Sequence, residues 1–303
     1  MDVIVVVLPA FLIFSIGFIG QKVIGFDRKT ISKAALYLMY PFLAFQTFYN
    51  NTITIDFLYI ILFCITLMVL LILLVKLLTW YKNTPRPKAS AMVLSSVFMN
   101  AGNYGVPIIL FAYGEQGATY AIIMMVIQSL LMNTVGLYYA SLGSADENAR
   151  IGDSVKKVLT MPINHAVILG VCSQIFQITV PPYIMQSVNL IADATIPTIM
   201  LVLGMQLATL SKGTVQVKDI ITIGTIKMVV SPVLAFLITA VLGLNSMLSG
   251  ILIVLAAMPT AANTTMYSIQ YNTEPQLVSY STFWTTLWSV ITIPFLLWMV
   301  GAV

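Results

Sequence analysis

The chain has 303 residues, 59% of them hydrophobic and only 8% charged, with a mean hydropathy of +0.98 and a formal net charge of +4. A water-soluble domain displays far more charge than this, so a soluble fold is excluded. The cationic excess belongs to residues flanking apolar runs, which speaks for membrane topology and against nucleic-acid binding.

A helix needs roughly 20 apolar residues to cross a hydrocarbon core about 30 Å thick, and runs of that length recur through the sequence. They predict about ten spans, at 3–22, 31–49, 57–80, 89–113, 117–141, 159–178, 185–209, 219–243, 246–270 and 276–302. The expected fold class is an all-α polytopic membrane protein without an extramembrane domain. Span one follows Met1-Asp2 without a basic n-region, is longer than a signal-peptide core and lacks a small-residue cleavage site. It is therefore read as retained.

Orientation follows from Lys and Arg, which are held on the cytoplasmic side during insertion. Lys22, Arg28, Lys29 and Lys33 lie at the first loop, Lys76, Lys82, Arg86 and Lys88 at the third. Arg150, Lys156 and Lys157 lie in the fifth, Lys212 and Lys218 in the seventh, and Lys227 inside span eight. The even-numbered loops hold none, which places them and both termini outside a multi-pass protein of the cell membrane. Cys64 and Cys172 fall within apolar spans and read as core residues rather than disulfide or zinc ligands, so no metal or cofactor is expected.

Five spans per half would invert the second half relative to the first, as in many transporters. The expected units are a first five-helix repeat over 1–142, a cytoplasmic linker at 143–157 and a second repeat over 158–303. Pro9 and Gly17 in span one are spaced like Pro162 and Gly170 in span six, and Pro41 of span two stands 156 positions before Pro197 of span seven. The same shift carries Asn103 onto Pro259 and Pro107 onto Asn263. Chance coincidence of prolines, common in membrane helices, is the competing explanation.

Span four contains Asn100-Ala-Gly-Asn103-Tyr104-Gly105-Val-Pro107, and span nine contains Met258-Pro259-Thr260-Ala-Ala-Asn263-Thr264-Thr265. Glycine lowers helix stability and proline removes an amide hydrogen, so both spans are expected to break near mid-membrane. Such backbone survives in a bilayer only when buried in protein or lining a cavity. Each second half is expected to begin near its proline and to turn unpaired amide hydrogens, with partial positive charge, toward the crossing. A small organic anion would be held there, with Asn100, Asn103, Asn263 and Thr264 adding side-chain donors. The plainer reading is that these amides only stitch helices together, at about 0.6 kcal/mol per contact.

At this motif the chain resembles the auxin efflux carrier family, whose bacterial members are often described as malate or malonate permeases. The resemblance covers essentially the whole length. It is carried by residues 100–107, Met161-Pro162-Ile-Asn164, Ala192-Asp193-Ala194, Leu203-Gly204, and Pro259 leading to Tyr271-Asn272 and Pro275. It implies two inverted five-helix repeats with crossed, broken helices four and nine, a scaffold of spans one, two, six and seven, and a homodimer formed through it. It also implies that Asn100, Pro107 and Pro259 match positions of the family's substrate site. The chain departs from the plant members in lacking their long cytoplasmic loop.

Ionisable groups inside spans are functional candidates by default. Asp193 is read as a scaffold buttress, a proton site or a cavity contact, the structural role ranking first. Lys227 either supplies positive charge near the anion path or snorkels toward the cytoplasm, and snorkelling is the preferred reading. His165 is either a pH-sensitive group or an interfacial packing residue. The four tryptophans read as interface anchors and packing residues. No acid, base, nucleophile or metal cluster converges in a loop, which argues against an enzyme. The remaining classes are a secondary carrier of organic anions, a sodium- or proton-linked carrier or cation antiporter of related architecture, and a channel.

Overall fold

Glycines and prolines punctuate the apolar runs, and the helices of the computed structural model, which describes residues 3–144, 160–208 and 215–302, bend or end where they fall. Most of the 143–157 linker, with Arg150, Lys156 and Lys157, lies outside the described residues, as does Lys212.

Helix α1 (Val3–Ile24) stops at Gly25, whose φ of 72° ends the helix with an amide bond back to Gln21. Asp27 caps α2 (28–50) by accepting from the Thr30 hydroxyl at 2.5 Å and the Lys29 amide at 3.1 Å. The hydroxyl bond above all holds the Asp27 carboxyl below its ordinary range. The cap is therefore present at neutral pH and lost only as acid protonates it.

Helix α3 (Ile55–Tyr81) contains no glycine or proline and is apolar on every side. One face, with Ile60, Phe63, Leu67 and Leu71, is buried, whereas Leu58, Leu62, Leu73 and Leu77 point outward. A helix hydrophobic all round demands an apolar surround, and here the surround must be lipid. Then follow α4 (Arg86–Val97), α5 (101–113), α6 (115–142), α7 (Pro162–Ile175), α8 (Pro182–Ala208), α9 (Val217–Val241), α10 (Ser246–Ala256), α11 (Ala262–Gln270) and α12 (Pro275–Met299). Gly114, at φ 69° and ψ −164°, makes the turn between α5 and α6.

Three π-helical turns, Ala35–Met39, Ala101–Gly105 and Ile226–Val230, end two residues before a proline, at Pro41, Pro107 and Pro232. Proline cannot donate to the carbonyl four residues back, and widening the preceding turn absorbs that defect without ending the helix. This corrects the expectation for Pro107: the second half of span four starts at Ala101, and Pro107 sits inside it. Pro259 likewise does not open a helix but lies in the non-helical break, with α11 starting at Ala262.

The helices fall at the predicted positions to within a few residues, and spans four and nine are each two helices with the expected break between them. Among the described residues, five helical stretches, Ile55–Tyr81, 101–142 taken across its turn at Gly114, Pro182–Ala208, Val217–Val241 and Pro275–Met299, are long and apolar enough to cross a membrane. Helices α7 and α10 are apolar but shorter. Cys64 is buried and Cys172 half-buried.

α1 packs along α8, α7 along the second half of α2, and α2 along α8. The contacts are backbone-close: a methyl group on Gly204 would lie 2.0 Å from the Phe14 carbonyl oxygen, and one on Gly17 would lie 2.2 Å from that of Leu201. Neither neighbour is a movable side-chain end. Gly204→Ala is expected to destabilise the protein by about 1–3 kcal/mol through forced separation of α1 and α8, read as a lowered melting temperature in detergent. An unchanged melting point would show that the two helices can separate freely.

Candidate functional site

The chain between α4 and α5 becomes extended at Phe98, and the chain between α10 and α11 does so before Ala262. The two breaks cross. Met99 forms an isolated antiparallel bridge with Thr260. The Asn100 amide donates to the Pro259 carbonyl at 2.8 Å, and the Ala261 amide donates to the Phe98 carbonyl at 3.1 Å. Each unwound segment thus satisfies part of the other's backbone, which a buried break requires. Thr260 anchors the crossing, since its hydroxyl donates to the Ser95 carbonyl at 2.6 Å and its amide to the Thr285 hydroxyl at 3.1 Å. Gly105 allows close approach of α10, because a methyl group there would lie 2.6 Å from Leu255 Cδ2.

A cavity of about 480 Å³ lies against the crossing, within the size range of small-molecule sites. Asn100, Asn103 and Asn263 line it, together with Tyr40, Gln128 and Gln206. Helices α5 and α11 both begin at its wall, at Ala101 and Ala262. The first amides of a helix have no intrahelical acceptor and carry its positive end, so both starts favour an anion. Arg28, Lys29 and Lys33, on the first turns of α2, form one side of the cavity, and Lys29 and Lys33 are exposed. No carboxylate is among the described lining residues.

Away from these basic residues the crossing is sealed. Tyr104 is 1% exposed; its ring lies 5.4 Å from that of Phe14, and its hydroxyl accepts from Ser289 at 2.8 Å. A second hollow, lined by Lys76, Thr79, Trp80, Asn83 and Thr84, lies at the end of α3 and shares no residue with the crossing.

Of the nine residues singled out in the two motifs, the structure brings Asn100, Asn103 and Asn263 to the cavity wall. Tyr104, Gly105, Pro107, Pro259, Thr260 and Thr264 form the frame behind it; Thr264 is fully buried and returns its hydroxyl to the Ala261 carbonyl at 2.7 Å. The register of the motifs also differs from the shift of 156. The helices after the breaks start 161 positions apart, so Asn103 is not opposite Pro259, nor Pro107 opposite Asn263.

Asp193 and His165 do not line the cavity. Asp193 is exposed on α8, where the Gln46 amide donates to it at 3.4 Å and to Asn189 at 3.0 Å. His165 is exposed on α7, with Nδ1 3.2 Å from the Met161 carbonyl oxygen. Lys227 overturns the snorkelling expectation: it is 0% exposed, and Nζ donates to the Val97 carbonyl at 3.5 Å. Its π-helical turn faces the end of α4 rather than the membrane boundary, so its side chain has no path to water along its own helix.

Several lining residues escaped the motif reading. The Tyr40 hydroxyl donates to Asn103 Oδ1 at 2.7 Å, and a methyl group on Gly102 would come within 2.7 Å of that hydroxyl. The signal in the sequence was Tyr40-Pro41 inside span two. Gln128 and Gln206 were likewise visible as amides within otherwise apolar spans. Among the described residues, no group of three His, Cys, Asp or Glu is placed to hold a metal ion.

A family model described as membrane transport protein matches residues 2–297. An uncharacterized transporter of Methanocaldococcus jannaschii is 27% identical over 99% of this chain and 98% of its own length. An uncharacterized transporter of Methanothermobacter thermautotrophicus is 24% identical over 99% of this chain and 96% of its own. With helices apolar enough for a bilayer, crossed breaks beside a polar cavity, and a family match over nearly its whole length, the chain belongs to the membrane transport protein family, that of the auxin efflux carriers, and is a transport protein rather than an enzyme.

Proposed function

We propose that the protein is a secondary transporter of a small organic anion, a carboxylate such as malate, malonate or an auxin-like acid, working by alternating access around the crossed breaks. The observation that carries this reading is the polarity of the cavity. Two helix N-termini, three asparagine amides and a basic wall converge on it, and no carboxylate is among the described residues that line it. The donors suit a carboxylate, and the lysines raise its local concentration. A cation antiporter of related architecture has no acid at this wall to bind its ion.

Ten spans in two inverted repeats are supported by the symmetry of the crossing. Met99 and Thr260 stand 161 positions apart, as do Phe98 and Pro259, and Asn100 and Ala261. The two backbone bonds at the crossing therefore exchange under one two-fold operation. The close contact of Gly17 with Leu201 has its counterpart in Gly170, where a methyl group would lie 3.1 Å from the Phe45 carbonyl oxygen.

In this reading α1, α2, α7 and α8 form the scaffold and the remaining helices the moving domain. Side-chain bonds largely stay within these groups, as in Gln46 with Asn189 and the Lys88–Asp219 ion pair at 2.7 Å. Tyr40 to Asn103 crosses the boundary at the cavity wall. The basic side is assigned to the cytoplasm, so the structure corresponds to an inward-facing state with both termini outside. A homodimer through the scaffold, in the cell membrane, completes the proposal.

The test is uptake of labelled malate, malonate and indole-3-acetate into proteoliposomes at controlled membrane potential and sodium concentration. Saturable uptake with counterflow of at least one anion is expected. Non-saturating flux would indicate a channel, and movement of a cation with none of the three anions would overturn the substrate class.

A further inference from the structure

Lys227 is the one Lys, Arg, His, Asp or Glu among the fully buried described residues, and the cavity does not explain it. Its ammonium has three protons to donate. The Val97 carbonyl at 3.5 Å accepts from it, and no carboxylate among the described residues pairs with it. A buried charge needs a compensating field.

That field is supplied by helix ends. Val97 is the last residue of α4, and Ala256 is the last residue of α10. The C-terminal, electronegative ends of both broken helices therefore converge on the crossing from the side opposite the N-termini of α5 and α11. One turn along α9 from Lys227, the Ser231 hydroxyl donates to the Ala256 carbonyl at 2.8 Å. Residues four apart share a helix face, so a single face of α9 engages both electronegative ends, the ammonium on α4 and the hydroxyl on α10. The last turn of α4 also carries the Ser95 and Ser96 hydroxyl oxygens, buried and without a hydrogen-bond partner.

We propose that Lys227 is a tethered counter-cation: its ammonium holds the carbonyl end of α4 at the crossing and occupies the place where a free monovalent cation would otherwise bind. Broken transporter helices commonly offer such carbonyl ends to a coupling ion. Here the ion is covalently attached, so the charge travels with the protein and need not be supplied from solution. Lys227 is then a positioning residue, acting on the substrate through the geometry of the break. This inference rests on the crossing being the transport site.

Truncation to alanine should leave a vacant cation site at the Val97 carbonyl. Purified Lys227→Ala in detergent is expected to melt at a lower temperature than native protein and to be restabilised, saturably, by methylammonium or sodium chloride but not by choline chloride. Native protein should show no such response. In proteoliposomes the same variant should lose uptake about tenfold, with recovery on adding the same cations.

Lys227→Met, which fills the space without the charge, should fold and lose uptake with no cation rescue. A Lys227→Ala protein that melts like native protein, or that ignores all three salts, overturns the proposal. So does native-level uptake by Lys227→Met, or a native protein whose uptake requires sodium. If native protein moves none of the tested anions, the functional reading fails, whereas the cation-dependent melting of Lys227→Ala still decides the role of Lys227.

Discussion

Alanine at Asn100 is expected to lower the affinity for the transported anion by about ten- to a hundredfold, because hydrogen bonds to charged groups contribute roughly 1.5–3 kcal/mol. Asn100 immediately precedes α5, its amide is engaged by Pro259, and its side chain lines the cavity while being only 6% exposed. Its backbone is held at the cavity wall before substrate arrives, by the bond across the crossing. Asn263, in the first turn of α11, lines the same cavity at the second helix start. Asn263→Ala should reduce affinity in the same way, and the double variant should abolish saturable uptake. The backbone bonds of the crossing do not involve either side chain, so both variants should keep the native melting temperature. Folded variants with native uptake would move the binding site away from the crossing.

The second large effect concerns the basic wall. With Arg28, Lys29 and Lys33 replaced together by glutamine, the apparent KM from that side should rise about tenfold at low ionic strength, with maximal rate little changed. The cause is long-range: two exposed lysines and an arginine beside a low-dielectric cavity focus a positive potential on its entrance. Screening over a Debye length of about 8 Å at physiological salt should erase most of the difference between native and variant protein. Inside-out vesicles assayed over a salt series give the measurement. Equal KM values at low salt would show that the anion does not enter past α2. Lys22 and the basic residues of the other loops remain in this variant, so the topology signal is largely kept.

Tyr40 shows how a site residue escapes a reading by motif. Its span was identified, and Pro41 marked the place where that helix departs from regularity, yet nothing local says that the hydroxyl meets Asn103 sixty-three positions away. The same holds for Tyr104, which reads as a cavity residue from its position between Asn103 and Gly105. The structure turns it toward Phe14 of α1 and Ser289 of α12, partners far away in the chain.

The sequence by itself determined the membrane class, the helix positions, the two breaks and the three asparagines at the cavity. These follow from chain-local physics: apolar length, the missing proline amide, the conformational cost of glycine, and the need to satisfy polar groups buried in lipid. Only the tertiary structure decided which half of each motif faces the cavity, and that Lys227 points into the protein. It also decided that the breaks register at 161 rather than 156 positions, and that α2 brings its basic turns to the site. Each of these depends on how one helix is rotated and shifted against another. That is fixed by contacts such as Gly204 on Phe14 and Gly105 on Leu255, between residues far apart in the chain. Local propensity carries no information about such contacts.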